Sequence, residues 1–481
     1  MQEDDLINLI SQYEIKSAEL EINLSKRKEI NDIVAKFTND FIERLPYSKS
    51  FINKNIQKER LEISGLPHSL EELLLKYSDE VIETGIKPAS GGHIGYIPGG
   101  GIFAGAIGDF LAAVSNVYAG VSFASPGAVA IENEVINWLK KIFGFPQNAV
   151  GNLASGGSVS NLIALAAARD KFQIKNDKVI TSVIYLTTQS HHCIQKALRI
   201  IGLEDVIIRY VTLDNYFKMD TMALKQQIET DLANDLNPFL IIASAGTTDV
   251  GAIDPLDEIA GIAKRFNLWF HVDAAYGGFF IMTSKKDLFK GIEQADSLVV
   301  DPHKGMFLPY GIGAVLIKDA SSVLHANHYS GNYMQDAVID DLAIDPANLS
   351  PELTKHFRGL RMWLPLQLHG EEPFIACLEE KLLLTEYFRQ KLLLLGFKVG
   401  PAPDLSVSYF WYPASKDANK FNRTLMQNIH KDGSVFLSST LIDEHFVIRM
   451  AILSFRTKRY TIDKAIDMIK SALESTKHGL A

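Results

Sequence analysis

Val299-Val300-Asp301-Pro302-His303-Lys304-Gly305 is the stretch from which the fold is read. An apolar strand ends there, and a proline with no N–H to donate closes it, delivering one amine flanked by an imidazole. Working outward, short apolar runs alternate with helical periodicity. Strands are expected at Val183 to Thr188, Val206 to Leu213, Pro238 to Ala245, Trp269 to Ala274, Ser297 to Val300 and Gly313 to Lys318. Helices are expected at Ile194 to Ile201, Met222 to Asp235 and Leu256 to Phe266. Runs this apolar are buried on both faces, so the pattern predicts an α/β fold: a mostly parallel sheet flanked by helices, with ligands at the strands' C-terminal ends.

Four kinds of group fall at such ends. Ser155-Gly156-Gly157-Ser158 precedes a helix, where free N–H groups and the helix dipole suit a phosphate. His191 follows a strand and offers a flat imidazole. Asp273, behind Trp269-Phe270-His271-Val272, is a part-buried carboxylate that needs a cation, and Ala275 leaves room beside it. Lys304 is an amine able to form an imine, its pKa expected to fall through burial near other cationic groups. A phosphate cradle, a stacking ring, a carboxylate and a lysine together are what holds pyridoxal 5'-phosphate. No metal site is expected, because adjacent histidines such as His191 and His192 rarely ligate one ion.

The chain has 481 residues, 47% apolar and 22% charged, with a formal charge of −9, so it is neither disordered nor a basic nucleic-acid binder. Two cysteines, Cys193 and Cys377, give no disulfide framework, and a cytoplasmic protein is expected. The acidic start Met1-Gln2-Glu3-Asp4-Asp5 leads into no cleavable apolar core, so no signal peptide is expected. Residues 110–131 carry no charge, but their serines, glycines and Pro126 favour a buried or subunit-interface segment over a membrane span. Three regions are expected: a helical N-terminal segment (1–102) with an amphipathic helix from Leu61 to Tyr77, a large α/β domain (103–362) and a smaller α+β domain (363–481). The last is read as a helix from Cys377 to Leu395, strands at Val407 to Trp411, Val435 to Leu437 and Phe446 to Leu453, and a helix from Ile462 to Ser475. The glycine-rich Gly91 to Gly101 reads as a connecting loop, and Tyr329 to Pro351 as a loop of the lid type.

On His271-Val272-Asp273-Ala274-Ala275-Tyr276-Gly277 and Asp301-Pro302-His303-Lys304 the sequence resembles the group II pyridoxal-phosphate decarboxylases, which include aromatic-amino-acid and glutamate decarboxylases. Gly246-Thr247-Thr248 and Val447-Ile448-Arg449-Met450-Ala451 match as well. The resemblance implies the fold type I (aspartate aminotransferase-like) architecture, a homodimer, and loss of CO2 from an L-amino acid to give an amine. It implies Lys304 as the Schiff-base lysine, Asp273 as partner of the pyridine nitrogen, His191 as the stacking residue, and Gly157 and Ser158 at the phosphate. Thr247 and His303 would lie against cofactor or substrate, and Tyr333, with Tyr329 as fallback, would protonate the substrate Cα. Tyr96 would belong to the substrate pocket, and Arg449 would help hold a carboxylate or serve a structural ion pair. An aromatic amino acid is the substrate expected, but Gly305 stands where aromatic-specific members commonly have Trp, so an acidic or other non-aromatic amino acid remains the alternative substrate. An aldehyde-forming decarboxylase, and a non-catalytic interaction protein on the same scaffold, remain the alternatives.

Overall fold

The computed structural model of the chain describes residues 2–327 and 344–480, in two units divided between Lys87 and Pro88. In the first, helices α1 (Glu3–Ser17), α2 (Leu24–Arg44) and α3 (Leu70–Tyr77) accompany an antiparallel pair, β1 (Phe51–Ile52) and β2 (Gly85–Ile86). Helix α3 is shorter than its periodicity predicts. Gly65 takes a φ of +74°, Pro67 constrains the residue before it, and the Ser69 hydroxyl accepts the Glu72 N–H at 3.2 Å, so the helix starts only there.

The second unit opens with the glycine-rich run, then α4 (Phe103–Ser115) and α5 (Pro126–Phe143). The uncharged stretch is therefore split: α4 stops at left-handed Asn116, and Pro126 begins the next helix. Among the described residues no helix is long and apolar enough to cross a membrane. The chain continues through β3 (Val150–Ala154), α6 (Gly157–Lys171), β4 (Ser182–Leu186), α7 (Cys193–Ile200), β5 (Ile207–Tyr210), α8 (Thr221–Ala233) and β6 (Asn237–Ser244). It then forms α9 (Leu256–Phe266), β7 (Trp269–Asp273), β8 (Ser297–Val300), the single turn α10 (Pro302–Gly305), β9 (Gly313–Ile317) and α11 (Ala320–Asn327).

These strands build one seven-stranded sheet in the order β3-β9-β8-β7-β6-β4-β5. Strands β4 to β8 pair in parallel, and β9 opposes both its neighbours. Successive side chains feed opposite cores: Val183 and Tyr185 join α5, α8 and α9 on one face, whereas Ile184 and Leu186 join α6, α7 and α11 on the other. The mostly parallel, helix-flanked sheet read from the sequence is the one observed. Strand β3 escaped that reading because Gly151 and Asn152, both poor strand formers, interrupt its apolar residues.

The remainder comprises α12 (Gly359–His369), α13 (Glu372–Leu394), β10 (Lys398–Val399), β11 (Val407–Trp411), α14 (Ala418–Asp432), β12 (Ser438–Ile442), β13 (His445–Ala451) and α15 (Arg459–Leu480). Its strands form an antiparallel sheet, β10-β11-β13-β12, packed with α13, α14 and α15 around Phe388, Phe410, Leu425, Ile448 and Ile469. The strand expected at Val435 to Leu437 lies three residues later. Phe436 is instead taken by the glycine-rich run: its N–H donates to Gly92 O at 2.8 Å and its carbonyl accepts from Ile94 N at 3.0 Å. That run is a packed strap, and it reaches the functional end of the sheet at Gly99, where a Cβ would lie 2.1 Å from the His303 carbonyl oxygen.

Candidate active site

The C-terminal ends of the parallel strands surround a cavity of about 390 Å³, of a size that suits a small-molecule ligand. Strand β8 ends at Asp301, and the single turn α10 carries Lys304 onto the cavity wall. The Lys304 Nζ lies 2.9 Å from Asp301 Oδ2, and Asp301 itself is almost wholly buried. The expected fall in the lysine pKa does not occur. Burial disfavours the ammonium, but the charge and hydrogen bond of Asp301, with Asp273 behind, outweigh it and hold the pKa above the ordinary lysine value.

Asp273 is the last residue of β7. Burial pushes its carboxyl up, opposed by the Ala275 N–H, which donates to Oδ1 at 3.1 Å, and by the charge of Lys304. Asn161, one turn into α6, donates its amide to Asp273 Oδ2 at 3.2 Å. His191 begins the turn into α7. Burial and the neighbouring His192 ring, 4.1 Å away between centroids, lower its pKa, so the imidazole is neutral. The Cys193 N–H donates to His191 Nδ1 at 3.2 Å, which leaves the proton on Nε2.

Gly157 and Ser158 open α6, ahead of the Val159 and Ser160 N–H groups that make its first bonds, both to Gly156 O. A Cβ on Gly157 would stand 2.9 Å from Asp301 Oδ2, so only glycine leaves this floor open. Thr247 accepts the Ala252 N–H on Oγ1 at 3.1 Å, keeping its hydroxyl proton to donate. Gly246 before it has φ +106°, and a Cβ there would stand 2.9 Å from Gly277 and Tyr276, so the position is closed to any side chain. His303 lines the cavity with Nδ1 donating to Ile312 O at 2.5 Å.

The cavity thus gathers Gly157, Ser158, His191, Thr247, Asp273, Ala275, His303 and Lys304. Tyr96 and Arg449 are not on its wall. The Arg449 guanidinium is committed to the Asp249 carbonyl at 3.1 Å, the Tyr96 carbonyl at 3.3 Å, Ser438 Oγ at 3.1 Å and the Thr248 carbonyl, so it clamps loops together. Tyr329 and Tyr333 lie outside the described residues. Gly305 faces the core: a Cβ there would lie 2.8 Å from Phe279 Cβ, and the Phe279 ring stacks on Trp138. Asn161 and Asp301 line the cavity without having been singled out in the sequence. Their signals were spacing: Asn161 stands four residues after Gly157 on one helical face, and Asp301 one turn before Lys304.

The residues fit pyridoxal phosphate: an open glycine floor at a helix start, a buried carboxylate, a neutral ring and an amine share one cavity, where Asp301 Oδ1 and Gln189 Oε1 are buried without hydrogen-bond partners among the described residues. The model of the pyridoxal-dependent decarboxylase conserved domain matches residues 55–399. This chain belongs to that family. The enzyme is 33% identical to the aromatic-L-amino-acid decarboxylase of Bacillus atrophaeus over 392 residues, 79% of this chain and 81% of that one. It is 26% identical to the phenylacetaldehyde synthase of Arabidopsis thaliana, covering 86% and 88% of the two chains. Its fold matches the crystal structure of Oryza sativa TDC with PLP and tryptamine, with a TM-score of 0.88 at 21% identity, over 94% of this chain and 99% of the other. The decarboxylase is accordingly a pyridoxal-phosphate-dependent carboxy-lyase of fold type I.

Proposed function

We propose that this decarboxylase converts an aromatic L-amino acid to its amine and CO2. The observation that carries the reading is the single cavity gathering Lys304, Asp273, His191 and the Gly157-Ser158 helix start. The aromatic side chain of the substrate rests on the names of its relatives. Lys304 would hold the cofactor aldehyde, Asp273 the ring nitrogen, His191 the ring face, and Gly157 and Ser158 the phosphate end, with Thr247 and His303 against cofactor or substrate. Bound pyridoxal phosphate supplies the electron sink into which the bonding pair drains as CO2 leaves.

The chain's own residues do the rest. Asp301 and Asp273 orient the Lys304 amine, the Nε2–H of His191 is a proton held at the cavity, and the Gly99 strap packs against the His303 backbone. Tyr333, assigned from the sequence, would return a proton to Cα, which favours amine over aldehyde as product. Arg449 is proposed as a structural clamp on the loops that frame the site. We read the enzyme as a cytoplasmic homodimer, a reading supported by its two free cysteines and by α4, which exposes Phe110, Leu111 and Val114 within the uncharged stretch.

The test is amine and CO2 release across a panel of L-amino acids. Aromatic substrates are expected to turn over fastest, and Lys304→Ala to abolish turnover. Preference for acidic substrates, or accumulation of aldehyde and peroxide in place of amine, would overturn the assignment.

A further inference from the structure

Beneath Asp273 lies a chain of buried polar groups that the reaction does not touch. Trp269, His271 and Asp273 alternate along β7 and point to the face covered by α6, and His271 stands opposite Ser297 in the ladder between β7 and β8. The Trp269 Nε1–H donates to Ser297 Oγ at 2.8 Å. Ser297 Oγ lies 2.8 Å from His271 Nδ1, and His271 Nε2 lies 2.8 Å from Asn161 Oδ1. Asn161 Nδ2 then reaches Asp273 Oδ2 at 3.2 Å, with the Cys193 sulfur 3.5 Å away. Asn161, His271 and Ser297 are fully buried.

The directions of these bonds are fixed from both ends. An indole N–H only donates and a carboxylate only accepts. Asn161 must therefore turn its nitrogen to Asp273 and its oxygen to His271, so His271 donates through Nε2. Its Nδ1 then accepts the Ser297 hydroxyl proton, and the Ser297 lone pair takes the indole. Every donor has one acceptor.

We propose that His271 is a positioning residue which, through Asn161, locks an amide N–H onto Asp273 and so keeps the cofactor's ring nitrogen protonated. The inference rests on the reading of Asp273 as the ring-nitrogen partner. Without His271 the Asn161 amide is free to rotate and present its oxygen to the carboxylate, which then gains from taking the ring proton itself. Burial supports the arrangement by pushing the His271 pKa down to about 3, so the imidazole stays neutral and keeps one donor and one acceptor. The other titratable groups facing Asp273 are Lys304, Asp301, His191 and Cys193. All are unchanged in the variants below.

The experiment loads the holoenzyme with pyridoxal phosphate carrying nitrogen-15 in the ring and follows its chemical shift and the cofactor absorbance from pH 6 to 9. Wild type is expected to hold a protonated ring nitrogen throughout, and Asp273→Asn an unprotonated one. In His271→Phe the loss of one hydrogen bond to the Asp273 carboxylate raises that carboxyl's pKa relative to the ring nitrogen's by roughly one to two units, which shifts the ring proton toward Asp273. His271→Gln, whose amide nitrogen reaches the Nε2 position, restores the wild-type shift, which a merely space-filling role would not predict. Ser297→Ala moves the shift less, in the same direction, and decides the matter if His271→Phe does not fold. Wild-type shifts in both His271→Phe and Ser297→Ala, with the proton lost in Asp273→Asn, would overturn the relay and leave the ring-nitrogen reading standing. A ring still protonated in Asp273→Asn would overturn both.

Discussion

Lys304 must lose a proton before its amine takes up an aldehyde, yet Asp301 at 2.9 Å holds that proton on. The two roles separate in a loading experiment. Because burial alone would lower the lysine pKa, removing the Asp301 charge lets that tendency prevail. Asp301→Asn is expected to take up cofactor on the order of tenfold faster at neutral pH, since a close opposite charge shifts a pKa by a unit or more. Stopped-flow absorbance of apoenzyme mixed with pyridoxal phosphate should place the pH midpoint of loading lower than in wild type. An unmoved midpoint would remove Asp301 from that role. At this scale the sequence is most legible where a residue type is chemically rare at its position, as with the amine of Lys304 or the carboxylate of Asp273 at the end of an apolar strand. Asn161 was not legible in that way: an amide in the first turns of a helix is ordinary, and only its distances to His271 and Asp273 give it meaning. At Gly305 the reason is complementary, since a neighbour remote in sequence, Phe279, occupies the space that a side chain there would need.

Elements are specified by periodicity, but their junctions depend on partners far along the chain. Strands β7 and β8 and helix α9 fall where their apolar patterns put them, whereas β12 and the start of α3 are set by a competing backbone pairing and by a cap. The start of α12 is a sharper case. The Arg358 and Gly359 N–H groups donate to Glu132 Oε1 at 3.1 and 3.2 Å, so a carboxylate from the middle of α5 caps a helix more than 220 residues later. The other oxygen, Oε2, lies 2.5 Å from the wholly buried Lys355 Nζ, which also bonds Asn152 on β3. One ion pair thereby ties α5, β3 and α12 together. Lys355→Met leaves the Glu132 charge buried with only backbone partners, and breaking such a pair costs about 3–5 kcal/mol. Denaturant unfolding of the variant should show that loss, with a smaller one for the double variant Lys355→Met, Glu132→Leu. Equal losses would mean that the charge is not what the single variant suffers from.

Across the whole molecule, acid sensitivity is a sum over buried groups of opposite sign. His93 and His271 are pushed down by burial to about 4 and about 3, while burial raises Asp254 to about 6. Between pH 6.5 and 4 the unfolded chain protonates His93 and the folded chain does not, so this residue withdraws stability as pH falls through that window. Asp254 acts the other way, because its folded form binds the proton first as pH falls through about 6, and it offsets one histidine. His93 is the group to isolate. Neither ring nitrogen has a hydrogen-bond partner among the described residues, and the ring packs against Phe436 and Tyr96 with centroids 5.5 and 6.2 Å apart. His93→Leu keeps a similar apolar volume and removes the titration. From pH 7 to pH 5 wild type should lose about 2 kcal/mol through His93 that the variant retains, from 1.5 pH units at about 1.4 kcal/mol each. Thermal midpoints measured at both pH values should therefore converge on each other in His93→Leu relative to wild type. If the two proteins lose stability in parallel, the imidazole is charged in the fold and the strap around it holds water or an acceptor that keeps it so.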